Sequence, residues 1–366
     1  MIRDLLGRLD QSHFALISRQ ALADDPRFDR DEGGGWSGGN GQLGLDLRIV
    51  EDAITVVSLE PGGPADRAGV RPGWILTRIG QHDPADWRRH FGEADDGHGG
   101  QFVAVDAALS RLSGAPGSRV ALAFRDGSDR TVELELERVP PYGEKVQLGN
   151  LPPLFARLRD KELATDGGRR VGVIEMNVWM TALSEPFAEA VDRYREYDGI
   201  VLDLRGNPGG VGGMVMGCAG HFIDERVSLG TLRMRGQELQ FVSNPRRVSP
   251  RGERVSPFAG PLAVLIDERS ASTSEIFAGG VQELGRARLF GSRTVGMALP
   301  ALMERLPDGD VLYHAVADFA TPRGMQIEKN GIKPDVPVEL SRAGLLAGQD
   351  AAMREALRWI DEAAAR

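Results

Sequence analysis

The sequence predicts an α/β protein: a C-terminal half built on a mostly parallel sheet, preceded by a separate, smaller β-rich unit. Three observations lead there. From about residue 169, short continuous apolar runs such as GIVLDL and PLAVLID alternate with stretches of helical period, as expected of strands buried on both faces and joined by crossover helices. Residues 43–138 instead carry short segments of alternating polarity, separated by turns rich in Gly, Pro and Asp. Between the two lies PPYGEKVQLGNLPP (140–153), whose four prolines read as a linker.

Taken in order, residues 1–20 open with Ile2, Leu5, Leu6 and Leu9 at helical spacing, and 21–42 turn polar and Gly-rich, a loop. LGLDLRI and AITVVSL read as strands, Pro64–Ala68 as a short helix, Trp74–Ile79 as a strand and Val103–Leu112 as a helix. SRVALAFRDG and DRTVELELERV alternate around an Asp-Gly turn, a hairpin signal. After the linker come the strand RRVGVIEMNVW, the helix LSEPFAEAVDRYREY and the buried strand GIVLDLRG. VGGMVMGCAGHFI reads as helix, PLAVLID as buried strand and STSEIFAGGVQELGR as helix. ARLFG, LMERLPDG and DVLYHAVADF supply strands, and AGLLAGQDAAMREALRWIDEAAAR closes the chain as one helix. The expected organisation is an N-terminal helical segment and loop over 1–40, the β-rich unit over 41–139, a linker over 140–168 and the α/β core over 169–366.

Composition narrows the function. The chain has 366 residues, enough for two domains, and 41% hydrophobic content supports a sizeable core. No apolar run reaches the ~18 residues of a membrane span. The net charge of −9, with no basic tract, argues against nucleic acid as a partner. One cysteine, Cys218, leaves no internal disulfide, and the six histidines form no HExxH or HxH pair, so neither a metal nor a cofactor is implied. Four lysines (Lys145, Lys161, Lys329 and Lys333) stand against forty arginines.

Two segments are candidates for chemistry. Ser272, in DERSASTSEIFAGG, lies between a buried strand and a helix, where free backbone N–H groups favour a developing oxyanion. The same residues fit an S-x-x-E capping box, in which the serine only satisfies backbone donors. DLRGNPGG (203–210) ends a buried strand with Gly209 and Gly210, whose N–H groups can line an anion pocket or simply form a tight turn. No Lys-Ser/Thr follows, so it is not a phosphate-binding P-loop.

These pieces together are more specific. The PGGPADRAGVRPGWILTRIG stretch, DLRGNPGG, SASTSEI after an apolar strand, and TPRGMQIEKNGIKPDVPV occur in one order between about residues 10 and 338. In that order the chain resembles the C-terminal processing (tail-specific) and tricorn-type serine peptidases. The resemblance implies a crotonase-like (ClpP/crotonase) α/β core with an inserted PDZ-like domain, and a nucleophile at Ser272. It also implies oxyanion donors at the backbone N–H groups of Thr273 and of the Gly-Gly turn, Gly210 before Gly209.

The sequence departs from the branch that uses a Ser–Lys dyad. The matching segment is Thr294-Val295-Gly296-Met297, and Met297 cannot take a proton. No lysine has the setting of a desolvated base. The tricorn-type branch uses a histidine from an N-terminal Ser-His pair and a late glutamate, which fall here on Ser12-His13 and Glu328. A serine needs a base within hydrogen-bond reach, imidazole suits neutral pH, and a carboxylate holds its tautomer. Taken alone, His13 reads as a structural histidine and Glu328 as a surface charge; His221 and His314 are rival bases. Ser12 is a possible auxiliary to the histidine or the substrate.

The resemblance thus implies a serine endopeptidase acting on polypeptides, including C-terminal tails, by a Ser272–His13–Glu328 acyl-enzyme route. The PDZ-like unit would bind a peptide C-terminus at Leu43, Gly44, Leu45 and Asp46, or act as a lid. Met297 motivates the alternative of a catalytically inactive relative that binds peptides or other ligands, and a scaffold acting through the PDZ-like unit alone is a third reading. The resemblance further implies a periplasmic or extracellular bacterial protein, while no signal peptide is legible here and a cytoplasmic location stays open. It also implies more chain before residue 1, so the N-terminal segment is expected to be truncated.

Overall fold

The computed structural model describes residues 14–17, 40–86, 98–149 and 153–364. The chain divides into two compact units: residues 18–142 with 339–351 form the smaller, and 1–17, 143–338 and 352–366 form the larger. β1 (Phe14–Ile17) belongs to the larger unit and pairs antiparallel with residues 311–314. The helical spacing read over 1–20 therefore does not extend to FALI, where cross-strand pairing overrides local propensity; the earlier residues lie outside the described ones.

The smaller unit is built on one antiparallel sheet. Its strands are β2 (Leu45–Val50), β3 (Ala53–Leu59), β4 (Ile75–Ile79), β5 (Arg119–Arg125) and β6 (Thr131–Glu137), hydrogen-bonded in that order. Glu51 and Asp52 turn β2 into β3 with both residues at positive φ, the geometry that matches strand twist in a tight hairpin. α1 (Pro64–Arg67) starts on a proline, whose fixed φ suits the first helical position. α2 (His98–Leu112) begins earlier than its apolar spacing suggested. Leu47, Val56, Leu122 and Phe124 meet Val105, Ala108 and Leu112 in this unit's core. The Arg138 guanidinium donates to the Leu112 and Arg111 carbonyls, satisfying the exposed acceptors at the C-terminal end of α2.

The larger unit begins with a hairpin, β7 (Glu144–Val146) and β8 (Leu154–Ala156). β9 (Leu158–Ala164) follows and pairs antiparallel with β10 (Arg170–Met176). The stretch read as linker thus contains strand structure. Its charged run, Arg159 to Glu162, concealed β9, because an edge strand needs no continuous apolar sequence. After α3 (Ser184–Arg193) come β11 (Gly199–Asp203), α4 (Met214–Ala219), the hairpin β12 (Ser228–Met234) and β13 (Gln237–Val242), β14 (Leu262–Ile266) and α5 (Thr273–Glu283). β15 (Arg288–Gly291), β16 (Ala301–Arg305), β17 (Val311–Ala315), β18 (Asp318–Ala320) and β19 (Val336–Pro337) complete the strands.

The principal sheet runs β19-β15-β14-β11-β10-β9, parallel throughout except for β9. β11 and β14 are buried along their whole length, as the apolar runs predicted. Side chains alternate across them. Ile200, Leu202 and Val264 join Phe187, Val215 and Phe277 on one face. Val201, Ala263 and Leu265 meet Met353, Ala356 and Ile360 on the other. The last three residues belong to α7 (Ala351–Ala364), which follows α6 (Arg342–Leu346). A single closing helix was expected; Gly348, at φ 68°, breaks it, so α6 falls in the smaller unit and α7 in the larger. Two smaller sheets, β1-β17-β16 and β13-β12-β18, belong to the same unit.

His221, just beyond α4, is buried with its ring edge-on to Phe187, 5.6 Å between centroids. Burial, with help from the charges of Arg246 and Arg195, pushes its pKa from 6.5 down to about 4. The folded state therefore resists protonating a group that the unfolded chain protonates readily. This penalty is absent above pH 6.5, grows as the pH falls, and approaches about 3 kcal/mol below pH 4. Urea unfolding at pH 7.5 and pH 5.0 should show a smaller acid loss of stability in His221→Phe than in the native chain; equal losses would disprove the assignment.

Candidate active site

β11 and β14 are parallel neighbours, so their C-terminal loops leave the same edge of the sheet side by side. Side chains that satisfy buried backbone hold these loops together. The Asp267 carboxylate accepts from the Gly206 and Arg269 N–H groups at 2.9 and 3.0 Å. Ser270 Oγ donates to the Leu204 carbonyl at 2.8 Å. Asn207, fully buried, donates from Nδ2 to the Met176 carbonyl at 2.6 Å and accepts the Gly209 N–H at 2.9 Å. Its own carbonyl accepts from the Ala271 N–H and Ser274 Oγ. Trp179, also fully buried, donates its indole N–H to Ser274 Oγ at 2.9 Å and its backbone N–H to the Gly209 carbonyl.

This frame presses the Gly-Gly turn against Ser272. A Cβ on Gly209 would stand 2.7 Å from Ser272 Cβ, and one on Gly210 would stand 2.2 Å from the Trp179 carbonyl oxygen. Both glycines have positive φ, 99° and 145°. The Gly209 N–H is taken by Asn207, whereas among the described residues the N–H groups of Gly210 and Thr273 have no acceptor. Thr273 Oγ1 donates to the Gly210 carbonyl at 3.0 Å and keeps these two residues adjacent.

Ser272 sits at the N-cap of α5 with φ 52° and ψ −116°. An N-cap residue ordinarily has extended backbone, so capping alone does not account for this strained turn. Glu275 does complete the capping box, accepting the Ser272 N–H at 2.9 Å. It also does more. The same oxygen accepts the Met297 N–H at 3.0 Å, and the other accepts the Gly296 N–H at 2.8 Å and the Thr294 hydroxyl at 2.5 Å. Burial pushes the Glu275 carboxyl up to about 7, against the pull of these four donors. Met297 is thus held directly beside Ser272, whose N–H also reaches the Met297 carbonyl at 3.1 Å.

Glu328 enters from the other side of the same segment. The Lys329 N–H donates to the Gly296 carbonyl at 2.8 Å, while Thr294 exchanges hydrogen bonds with Ile332. Glu328 is half-buried, and its charge, after burial, helps raise the Tyr313 phenol to about 12. Tyr313 stands on β17, and β1, paired with β17, begins at the residue after His13. Ser12 and His13 themselves lie outside the described residues. Of the rival bases, His314 faces Glu304, Nε2 to Oε1 3.6 Å, and His221 is packed on Phe187. All four lysines are exposed, so none has the desolvated setting of a general base. Among the described residues no three His, Cys, Asp or Glu side chains converge as a metal site.

In the smaller unit, Leu43 is buried and its carbonyl accepts the Ala65 N–H at 3.0 Å, while the Gly44 carbonyl accepts from Glu60. Leu45 and Asp46 open β2, an edge strand against which α2 packs. The Asp46 carboxylate accepts the Leu47 N–H and pairs with the buried Arg48 guanidinium at 2.8 Å.

Sequence reasoning took Glu275 only as a cap and passed over Asn207, Trp179, Thr294 and Tyr313. Only the Glu275 spacing from Ser272 and the Asn in GNPGG were legible hints; the partners of both are distant in sequence.

Residues 170–338, which hold the Gly-Gly turn, Ser272, Glu275 and Glu328, match the description Peptidase family S41. Over this segment the chain is similar to family S41. It is 30% identical over 302 residues to a carboxyl-terminal-processing protease of Synechocystis sp., across 81% of this chain and 62% of that protein. The chain therefore spans less than two thirds of that relative's length. The fold is similar to that of the photosystem II D1 C-terminal processing protease, with a TM-score of 0.57 and 22% identity over 96% of this chain and 86% of that one. It is also similar to mature CPAF, with a TM-score of 0.60 and 14% identity over 99% of this chain and 85% of that one. Within the S41 segment, Gly210→Ala should destabilise the larger unit by about 3 kcal/mol, because both the positive φ and the Trp179 carbonyl oppose a Cβ. Gly252→Ala, at φ 80° but in open space, should cost only about 1 kcal/mol. Thermal unfolding of the two variants checks the ranking.

Proposed function

We propose that the chain is a serine endopeptidase that hydrolyses peptide bonds in polypeptides, C-terminal tails among them. Ser272 is the nucleophile, His13 its base, and Glu328 the carboxylate that orients His13. Ser272 Oγ attacks the scissile carbonyl as His13 takes its proton. The N–H groups of Gly210 and Thr273 receive the oxyanion, and His13 then protonates the leaving amine. Water, activated by the same imidazole, releases the acyl group. Ser12 is an auxiliary on the histidine side. The observation that carries the reading is the strained Ser272 turn at the N-terminus of α5, set beside two N–H groups without acceptors.

On this reading the larger unit is a crotonase-like core and the smaller one a PDZ-like domain. The latter takes a peptide C-terminus by strand addition to β2, with Leu43, Gly44, Leu45 and Asp46 at the carboxylate. The setting is extracytoplasmic in a bacterium, consistent with the bacterial relative. Met297 beside Ser272 favours one competing reading, a peptide-binding protein without turnover.

A fluorophosphonate probe separates the two. The native chain should be labelled, and Ser272→Ala should abolish labelling and lower kcat/KM for an unfolded polypeptide about 10⁴-fold or more. Activity should fall below about pH 6.5, as imidazole protonates and can no longer accept the serine proton. A folded chain that is inert to the probe would support the binding reading, and labelling that survives Ser272→Ala would refute the assignment of Ser272.

A further inference from the structure

We infer that Glu275 and Thr294 form a buried latch that holds Ser272 and the Glu328 loop in register, so that both are positioning residues for the proposed reaction. The inference rests on the assignment of Ser272 and Glu328 above. Ser272 and Glu328 sit on segments 56 residues apart in sequence. The strip Thr294–Met297 lies between those segments and is bonded to each. On the Ser272 side, Glu275 takes the N–H groups of Ser272, Gly296 and Met297 and the hydroxyl proton of Thr294. On the Glu328 side, Thr294 Oγ1 accepts the Ile332 N–H at 2.7 Å, and the Gly296 carbonyl accepts the Lys329 N–H at 2.8 Å. These last two bonds fall on Lys329 and Ile332, the residues just after Glu328 on its own loop.

The chemistry makes the latch directional. Each of the four groups that face the Glu275 carboxylate gives it a hydrogen, so the ionised form satisfies all of them at once. The Thr294 hydroxyl has one proton, spent on Glu275, and one lone pair engaged by Ile332. It therefore relays the carboxylate to the Glu328 loop without an unpaired group. Glu275 and Thr294 are both fully buried, so water cannot replace either bond at low cost. The Ser272 turn, strained by itself, is over-determined by this network.

Thr294→Val removes the hydroxyl at nearly constant shape, and Thr294→Ser keeps it. Amide hydrogen exchange reads the latch without any activity. Thr294→Val should speed exchange at Ile332, which it touches, and also at Ser272 and Met297, which it does not; Thr294→Ser should leave all three near native. Exchange that rises at Ile332 alone would overturn the latch. Fluorophosphonate labelling of the full chain gives the second readout. Thr294→Val should slow it about tenfold in the native background and under about threefold in Glu328→Gln, because the valine and the lost carboxylate disturb one coupled unit. Equal slowing in both backgrounds, with unchanged thermal midpoints, would mean that the hydroxyl supports Ser272 alone. Loss of the Ser272 assignment would show separately, as labelling that persists in Ser272→Ala.

Discussion

Asn207 carries the constraint on which the rest of the site depends. Two parallel strands end together, and the loops leaving them are buried, so every backbone N–H and C=O there needs a partner that is not water. Asn207 answers for strand β10 through Met176, for the glycine turn through Gly209, and for the α5 turn through Ala271 and Ser274. Asp267 does the same for the start of both loops. With those bonds in place the glycine turn has nowhere to go but against Ser272, and only residues without a Cβ fit there.

Ser272 combines a structural role with the chemical one proposed for it. It is an N-cap, and its capping partner Glu275 is real. Yet the cap geometry is abandoned for a left-handed turn that a cap does not need. Glu275 bears the cost of that choice. It is buried where desolvation drives its carboxyl toward neutrality, and four donors hold it in place. Such a group binds the turn, the Met297 strip and, through Thr294, the Glu328 loop.

Much of this was legible in the sequence. The buried runs GIVLDL and PLAVLID became adjacent parallel strands, because only a sheet covered on both faces makes continuous apolar strands favourable. The lysine census also carried over: Lys145, Lys161, Lys329 and Lys333 are all exposed. What was not legible depended on partners distant in sequence. β9 looked like linker because its run is charged: Lys161 and Glu162 face solvent at a sheet edge, while Asp160 pairs with Arg193 and Tyr194. The closing helix looked continuous because one glycine is a weak signal inside a strong helical pattern. Glu275 looked like a cap because its other three donors lie 19 to 22 residues away.

By itself the sequence determined the α/β class, the strands and helices of the parallel core, and the residue types able to do acyl-transfer chemistry, since period and side-chain chemistry are local properties. The tertiary structure decided which of them meet. It set the glycine turn on Ser272, gave the Gly209 N–H to Asn207 while leaving that of Gly210 open, and placed Ser272 and the Glu328 loop on either side of the Thr294–Met297 strip. Those outcomes follow from buried polar groups finding partners across the fold, which spacing along the chain does not encode.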